Sequence, residues 1–404
     1  MSSSTSSSDD ALSRRLYGKI LLAVLVGMIA ALGLLRLFTD LNDASADTIL
    51  GRVGQAQAAL PVIIDEEKDL AMFFGSSMVQ AGFSPRMFDL WMSEKGLQIS
   101  SWNFGFGGLN PYFQEILSRR ISEQFVARDR KLKLVMIEFN PFQTTQNRWN
   151  GALPLLDSFM TMLATDQELF DIAKSDMTRG VRLFTIRYLR NDISAEMVTQ
   201  FFGESLQERP QESTIAEDEA MTERRNEINE LLDGKLAEDY PDYDGEDWYL
   251  PWQGGGTIPM DRSEQTVDLI KELIRTYLTD RNLENDRLGR IRSADIIELQ
   301  FEELLVESFI QLVKNFQQIS EHVEIILLPV NRDWIVNSPS GKQRLANTLE
   351  RISRETGITI RNMQDVPEIT PDMYSDTTHL GRYTGDIPFT RLLVDEIEPL
   401  LKNN

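Results

Sequence analysis

Nine residues, DLAMFFGSS from Asp69 to Ser77, decide the fold of this chain. The apolar centre carries no charge and ends at a glycine and two serines, a pattern typical of a buried strand that stops at a tight loop. Two further runs have the same character: KLKLVMIEF, from Lys131 to Phe139, and VEIILLPV, from Val323 to Val330. The sequence therefore predicts buried strands that are spread over most of the chain.

Helical segments separate these strands. One runs from Pro111 to Ala127 and starts with a proline, which is well tolerated in a first helical turn. Further helices are predicted at Pro85 to Lys95, Arg262 to Arg281, Ser293 to Ile319, Gly341 to Glu355 and Asp386 to Leu401, and short strands at LQISSWNF (97–104) and ITIRNM (358–363). This alternation indicates an α/β fold with a mainly parallel sheet covered on both faces. Ligands bind outside the carboxyl ends of such strands, where the sequence has Ser77, Gly108 and Asn140.

The composition allows a large globular domain and argues against several kinds of binding site. The chain has 404 residues, 42% of them hydrophobic, enough for a sizeable core in one large domain with an insertion or in two domains. The formal net charge of −22 argues against nonspecific nucleic-acid binding, which needs clustered lysine and arginine. The absence of cysteine excludes disulfides, thiolate metal sites and a lipid-modified N-terminal cysteine. We expect neither a metal nor another cofactor.

The N-terminal segment carries a membrane signal. We expect residues 1–16 to be a disordered cytoplasmic tail. An apolar run from Ile20 to Leu35 follows three basic residues, so the positive-inside rule predicts a transmembrane anchor over residues 17–38 that leaves the main domain extracytoplasmic. The alternatives are a buried soluble helix and a signal peptide cleaved near Ala44-Ser45-Ala46, but this triplet lies far beyond the apolar run. Residues 39–65 are predicted to be a linker.

A mostly helical acidic insertion with return helices, residues 143–320, divides the α/β domain into a first part, 66–142, and a second part, 321–404. Within it, Glu204 to Asp247 has 16 acidic and 4 basic residues. Because these carboxylates lack the spacing of a calcium loop, we expect a solvated helix and loop. WYLPWQGGGT, from Trp248 to Thr257, is compatible with a lid or a sugar-stacking platform, although packing against the body is the favoured interpretation.

YSDTTHLG, from Tyr374 to Gly381, places Asp376 and His379 three residues apart. The charge of histidine changes near neutral pH, and a nearby carboxylate can fix its tautomer. The pair is therefore typical of the general base and orienting carboxylate of a hydrolase, with a helix cap by Asp376 as the structural alternative. His322, just before the strand 323–330, is predicted to be structural, because the amino end of a parallel strand lies at the wrong edge of the sheet for chemistry.

A serine supplies the missing partner. In acyl transfer a serine attacks a carbonyl, an imidazole takes its proton and later returns it, and a carboxylate orients the imidazole. We predict that Ser77, His379 and Asp376 fill these catalytic roles. The charge on the carbonyl oxygen needs donors that are fixed in advance. The candidates for this oxyanion hole are the N–H of Ser77, Gly108 in a glycine-rich turn predicted at residues 105–108, and the Asn140 side chain.

Together these pieces resemble the SGNH (GDSL-like) hydrolase superfamily, which has four sequence blocks. The first looks like Phe74-Gly75-Ser76-Ser77, with the nucleophile at the last serine, and the second, N-x-G-x-x-G, looks like Asn103 to Gly108, with the oxyanion glycine last. The third departs from the pattern, since Glu138-Phe139-Asn140-Pro141 stands where the family has G-x-N-D. The fourth, D-x-x-H, matches Asp376 to His379.

The resemblance covers roughly residues 66–142 and 320–400 and implies a flavodoxin-like three-layer sandwich. The anchor, FGSS, NFGFGGLNP, the helical insertion and D-x-x-HLG resemble a membrane-anchored subgroup, the D-alanine transfer proteins of teichoic acid modification and the exopolysaccharide O-acetyltransferases. That likeness implies a serine esterase or O-acyltransferase acting in the periplasm or at the cell surface on a cell-envelope or exported polysaccharide, beside a multi-spanning membrane O-acyltransferase. The alternative is a catalytically silent scaffold that binds glycan or that acyltransferase.

Overall fold

One parallel sheet organises the chain. A computed structural model describes residues 16–28, 30, 49–153, 156–189, 219–239, 264–381 and 384–402. The strands among them are β1 (Asp69–Ser76), β2 (Ile99–Phe106), β3 (Leu132–Glu138), β4 (Ser320–Leu327) and β5 (Ile360–Asn362). Their order is β2-β1-β3-β4-β5, and each neighbouring pair is parallel. The predicted α/β fold with a mainly parallel sheet is confirmed.

Helices follow the strands along the chain. The first part of the domain has α1 (Ile49–Ile64), α2 (Ser77–Gly82), α3 (Pro85–Glu94) and α4 (Pro111–Ala127). Between β3 and β4 lie α5 (Gln146–Ala152), α6 (Leu156–Leu163), α7 (Asp166–Ser175), α8 (Met177–Leu189), α9 (Glu219–Asp239), α10 (Glu264–Tyr277), α11 (Asp280–Ala294) and α12 (Glu303–Gln317). The last two are α13 (Pro339–Thr356) and α14 (Asp386–Lys402). The described parts of the predicted insertion are thus largely helical.

Helices cover both faces of the sheet. Successive side chains of a strand point to opposite faces, so neighbouring residues of β1 contact helices on different sides. On β1, the Phe73 ring lies 5.2 Å from Phe88 of α3, whereas the Phe74 ring lies 5.0 Å from Phe316 of α12. Behind these contacts, α14 packs on α2 and α3, and α12 packs on α4 and α13. The apolar run of β1 is continuous rather than alternating because each of its faces is buried.

Helix α1 corrects the prediction that residues 39–65 are a linker. Residues 49–64 are helical, and Val53, Ile63 and Ile64 belong to the main core. The buried Arg52 side chain donates from Nε to the carbonyl oxygen of Gly105 (2.6 Å) and from Nη2 to that of Asn103 (3.0 Å). Since β2 is an edge strand, these contacts help to cover an edge that would otherwise be open to other chains.

The glycine-rich turn predicted at residues 105–108 begins later than expected. Gly105 and Phe106 still belong to β2, where they pair with Gly75 and Ser76 of β1. A side chain at Gly105 would collide with the backbone of Gln80 in α2, so this glycine permits close approach of helix and strand rather than a turn.

Strand β4 begins at Ser320, three residues before the predicted start. His322 therefore lies inside the strand, opposite Leu134 of β3, rather than before it. The predicted helix from Arg262 to Arg281 is also different, because α10 ends at Tyr277 and Thr279 caps a new helix, α11. Threonine favours such N-cap positions because its side chain accepts a hydrogen bond from the first helical turn.

Only part of the predicted anchor falls within the described residues. Residues 16–28 are helical, and their side chains are exposed. No helix in the described part of the chain is both long and apolar enough to span a membrane. Residues 31–38, the triplet 44–46 and the loop 248–257 lie outside the described residues, as do most of the tail and the acidic segment except α9.

Candidate active site

The candidate residues meet at the carboxyl edge of the sheet. β1 ends at Ser76, and Ser77 is the first residue of α2. The loop after β2 passes close by, since a Cβ atom added at Gly107 would lie 3.7 Å from that of Ser77. Asn140 lies two residues after the end of β3. Because all neighbouring strands are parallel, these positions lie on one edge, as predicted from the sequence.

A continuous chain of hydrogen bonds joins the triad of Ser77, His379 and Asp376. Ser77 Oγ lies 2.7 Å from His379 Nε2, and His379 Nδ1 lies 2.6 Å from Asp376 Oδ2. Since an ionised carboxylate only accepts, Nδ1 carries the hydrogen and Nε2 is left to accept from the serine hydroxyl. The imidazole is therefore in the tautomer that a general base for Ser77 requires.

The loop that carries His379 is held in shape by Asp376. Asp376 Oδ1 accepts from the backbone N–H of Thr378 (2.7 Å) and of His379 (2.8 Å), and Tyr374 pairs with Leu380 across the loop. Burial alone would raise the pKa of Asp376, but the hydrogen bonds and charge of His379 and the charge of Arg290 hold it well below its usual value. Asp376 is therefore a carboxylate at neutral pH.

Helix α11 of the insertion contacts the same loop. Arg290 donates from Nη2 to Asp376 Oδ2 (3.1 Å) and from Nε to Asp286 Oδ2 (2.9 Å). Asp286 in turn accepts from the backbone N–H of Thr377 (3.3 Å) and from its hydroxyl. One turn of α11 thus holds two consecutive residues of the loop.

Ser76 has a different environment from its neighbour. It is fully buried, and it donates from its backbone N–H (2.6 Å) and its hydroxyl (3.0 Å) to the carboxyl group of Glu138. Its hydroxyl oxygen also accepts from Asn140 Nδ2 (2.9 Å) and from the backbone N–H of Met78 (3.2 Å). Burial raises the pKa of Glu138 to about 7, against hydrogen bonds from Ser76 that lower it.

The structure brings the three predicted catalytic residues into contact, whereas the two other oxyanion candidates are placed differently. Gly108 has a positive φ of 75°, in the loop that follows β2 beside Ser77. Asn140 directs its amide nitrogen to Ser76 and to Met78 Sδ (3.5 Å), and its oxygen accepts from the backbone of Phe142 (2.9 Å). Its observed contacts therefore hold the strand ends together rather than face Ser77.

Sequence reasoning missed Glu138 and Arg290. A glutamate as the last residue of a buried strand was a usable signal for the first, because a carboxyl group is rarely placed in such a position without partners. The glycine before the two serines was a second signal. A Cβ atom added at Gly75 would lie 2.5 Å from Glu138 Oε2, so a side chain at this position would collide with the carboxyl group. Arg290 offered no local signal, because it lies 86 residues from Asp376 and among many other arginines.

Two other expectations concern His322 and metals. His322 is half-buried in β4, opposite Leu134 and before the strand's carboxyl end. The described residues include no group of three or more histidine, aspartate or glutamate side chains arranged to hold a metal ion.

The chain matches no protein-family model and no curated protein. The chemistry of the site is therefore inferred from its own residues. In the triad, a serine hydroxyl contacts the Nε2 atom of an imidazole, and an ionised carboxylate contacts the Nδ1 atom on its other side. This arrangement can activate a serine for attack on a carbonyl carbon and can stabilise the imidazolium that forms.

Proposed function

We propose that this chain is a serine-dependent O-acyltransferase or acyl esterase that acts on a cell-envelope or exported polysaccharide. The observation that carries the proposal is the hydrogen-bond chain from Ser77 Oγ through His379 to Asp376, at 2.7 and 2.6 Å. The first distance is within the range expected of a nucleophile and its base, and the second is within hydrogen-bonding range of a base and its orienting carboxylate. No cofactor is needed for this chemistry.

The proposed reaction has two steps. In the first, Ser77 Oγ attacks the carbonyl carbon of an acyl ester while its proton moves to His379 Nε2. The tetrahedral intermediate collapses, the alcohol leaves with that proton, and the acyl group stays on Ser77. In the second step His379 takes a proton from water or from a sugar hydroxyl, whose oxygen attacks the acyl carbon. The bond from that carbon to Ser77 Oγ then breaks, His379 returns the proton to Oγ, and an acid or an acylated sugar is released.

The backbone around Ser77 supports stabilisation of the oxyanion. Ser77 opens helix α2, so its N–H has no carbonyl partner within the helix. The positive φ of Gly108 and the nearness of Gly107 to Ser77 support a second donor from that loop. The Asn140 amide can also donate to the oxyanion only if it turns away from Ser76.

The wider architecture supports membership of the SGNH (GDSL-like) superfamily as part of the proposal. The strand order 2-1-3-4-5 is that of flavodoxin-like folds, and the helices on both faces fit a three-layer sandwich. We further propose that residues 17–38 anchor the chain in the membrane, with the main domain outside the cytoplasm and a multi-spanning membrane O-acyltransferase as its partner. The basic residues before the apolar run support this orientation.

An acyl-donor assay tests the proposal. The full chain is mixed with p-nitrophenyl acetate, with and without chito- and cello-oligosaccharides, and nitrophenolate, acetate and acetylated sugars are measured. We expect nitrophenolate release that falls by at least about 10³-fold in Ser77→Ala. Acetylated sugar in place of acetate identifies a transferase, and acetate alone identifies an esterase. Equal rates for the wild type and Ser77→Ala would contradict the proposal and favour a non-catalytic scaffold.

A further inference from the structure

Helix α11 belongs to the insertion, yet it touches the triad. Arg290 places Nη2 3.1 Å from Asp376 Oδ2, the same oxygen that His379 Nδ1 contacts at 2.6 Å. We propose that Arg290 is a positioning residue of the Ser77 site and that the insertion is thereby a working part of it. This inference rests on the proposed function, because it concerns the base of the same reaction.

Arg290 contacts two carboxylates, those of Asp286 and Asp376, rather than forming a single surface ion pair. The side chain of Arg290 is 22% exposed and reaches both Asp286 and Asp376, whose side chains are 31% and 32% exposed. Asp286 also accepts from the backbone N–H of Thr377. Because the guanidinium is a planar fork with fixed donors, this arrangement sets the position of Asp376 relative to α11.

A cation at this position also affects the base. His379 must be neutral to accept the proton of Ser77. The positive charge of Arg290 favours the ionised form of Asp376 and opposes a second positive charge on the imidazole. Asp286 on α11 and Glu138 on β3 also lie near the pair, and each favours the imidazolium when it is ionised. Loss of the Arg290 charge should therefore favour the protonated imidazole, which cannot take the proton of Ser77.

The pH profile of covalent labelling tests this inference. The second-order rate constant for reaction with a fluorophosphonate is measured from pH 5 to 9; Ser77 Oγ forms the bond to phosphorus, fluoride leaves, and His379 takes the proton. In Arg290→Met we expect the acid limb to move up by about one pH unit. Arg290→Gln, which keeps hydrogen-bond donors but has no charge, should move it equally. Arg290→Lys keeps the charge and should leave the acid limb in place, with a lower plateau because the fork is lost.

Arg287→Met is the matched control, since Arg287 lies on the same helix and pairs with Glu284 rather than with the loop. Near-UV circular dichroism identifies any variant that fails to fold. An unchanged acid limb in folded Arg290→Gln or Arg290→Met, or the same shift in Arg290→Lys, would overturn the inference while leaving the proposed function intact. Equal labelling of the wild type and Ser77→Ala would instead refute the proposed function.

Discussion

Ser76 and Ser77 are adjacent in the chain, but the end of β1 falls between them. Ser76 completes the strand and turns its hydroxyl to Glu138, whereas Ser77 opens α2 and turns its hydroxyl to His379. The buried Ser76 is held in place by four hydrogen bonds, three of them to its hydroxyl, and this also fixes the backbone of Ser77. The two serines thus have different roles: Ser76 fixes the backbone, and Ser77 presents its hydroxyl to His379.

Glu138→Gln tests the role of the buried carboxyl group. A glutamine oxygen can still accept from the Ser76 N–H, but its amide would donate to the Ser76 hydroxyl, whose own hydrogen then has no acceptor. We expect a loss of about 1–3 kcal/mol in the free energy of unfolding and a fall of about tenfold in the rate of Ser77 labelling. Exposed Glu67→Gln is the matched control, and unchanged labelling with folded Glu138→Gln would show that the network has no influence on Ser77.

The same variant has a predicted dependence on pH. Because burial raises the pKa of Glu138 from 4.5 to about 7, the folded state binds its proton more tightly than the unfolded state. The stability from this group is therefore complete below about pH 4.5 and is lost as the pH rises through about 7. In urea unfolding, the loss in the free energy of unfolding caused by Glu138→Gln should be larger at pH 5 than at pH 8. An equal loss at both pH values would contradict the raised pKa of Glu138.

Local spacing was enough to predict Asp376 and His379 as a pair, because residues three apart in a tight loop can share one carboxylate. Glu138 and Arg290 could not be predicted in that way. Each depends on a contact between residues far apart in the chain, 62 residues for Glu138 and Ser76 and 86 for Arg290 and Asp376. A single sequence can mark Glu138 as a buried carboxyl group that needs partners, but it does not identify the partner of either residue.

At the level of elements, continuous apolar runs predicted β1, β3 and β4, because strands buried on both faces lack alternation. The bounds of α4 were predicted without error, since its cap Asn110 and its first-turn Pro111 stand next to each other in the sequence. Helix α1 was missed, because it contains Pro61 and two glycines, which are poor helix formers. Its stability comes from packing on β2 and α4 rather than from its own sequence.

Arg52→Met tests whether α1 is a structural part of the domain. The substitution keeps the length of the side chain but leaves the carbonyl oxygens of Asn103 and Gly105 without the Arg52 donors. We expect a loss of about 2–4 kcal/mol in the free energy of unfolding, because both carbonyls belong to a buried strand. Arg354→Met, at an exposed position of α13, is the matched control. Equal unfolding curves for the two variants would mean that α1 is a linker after all.

At the scale of the whole molecule, the parallel sheet explains why residues about 300 positions apart meet. The ends of β1, β2 and β3 lie on one edge, and the chain returns to that edge after β5 with the loop that carries His379. This convergence was predictable, because it follows from the alternation of strands and helices. The return of the insertion to the same edge through α11 was not, since helical periodicity does not say where a helix docks.

One measurement tests the central claim most directly, that His379 activates Ser77 as a nucleophile. The full chain is treated with a fluorophosphonate at pH 8, and the modified peptide is located by mass spectrometry in the wild type, Ser77→Ala and His379→Ala, with His322→Ala as the matched histidine control. We expect one adduct on Ser77 in the wild type and in His322→Ala, none at that position in Ser77→Ala, and labelling at least about 10³-fold slower in His379→Ala. Labelling of Ser77 at the same rate without His379, or no adduct on Ser77 in the wild type, would contradict the claim.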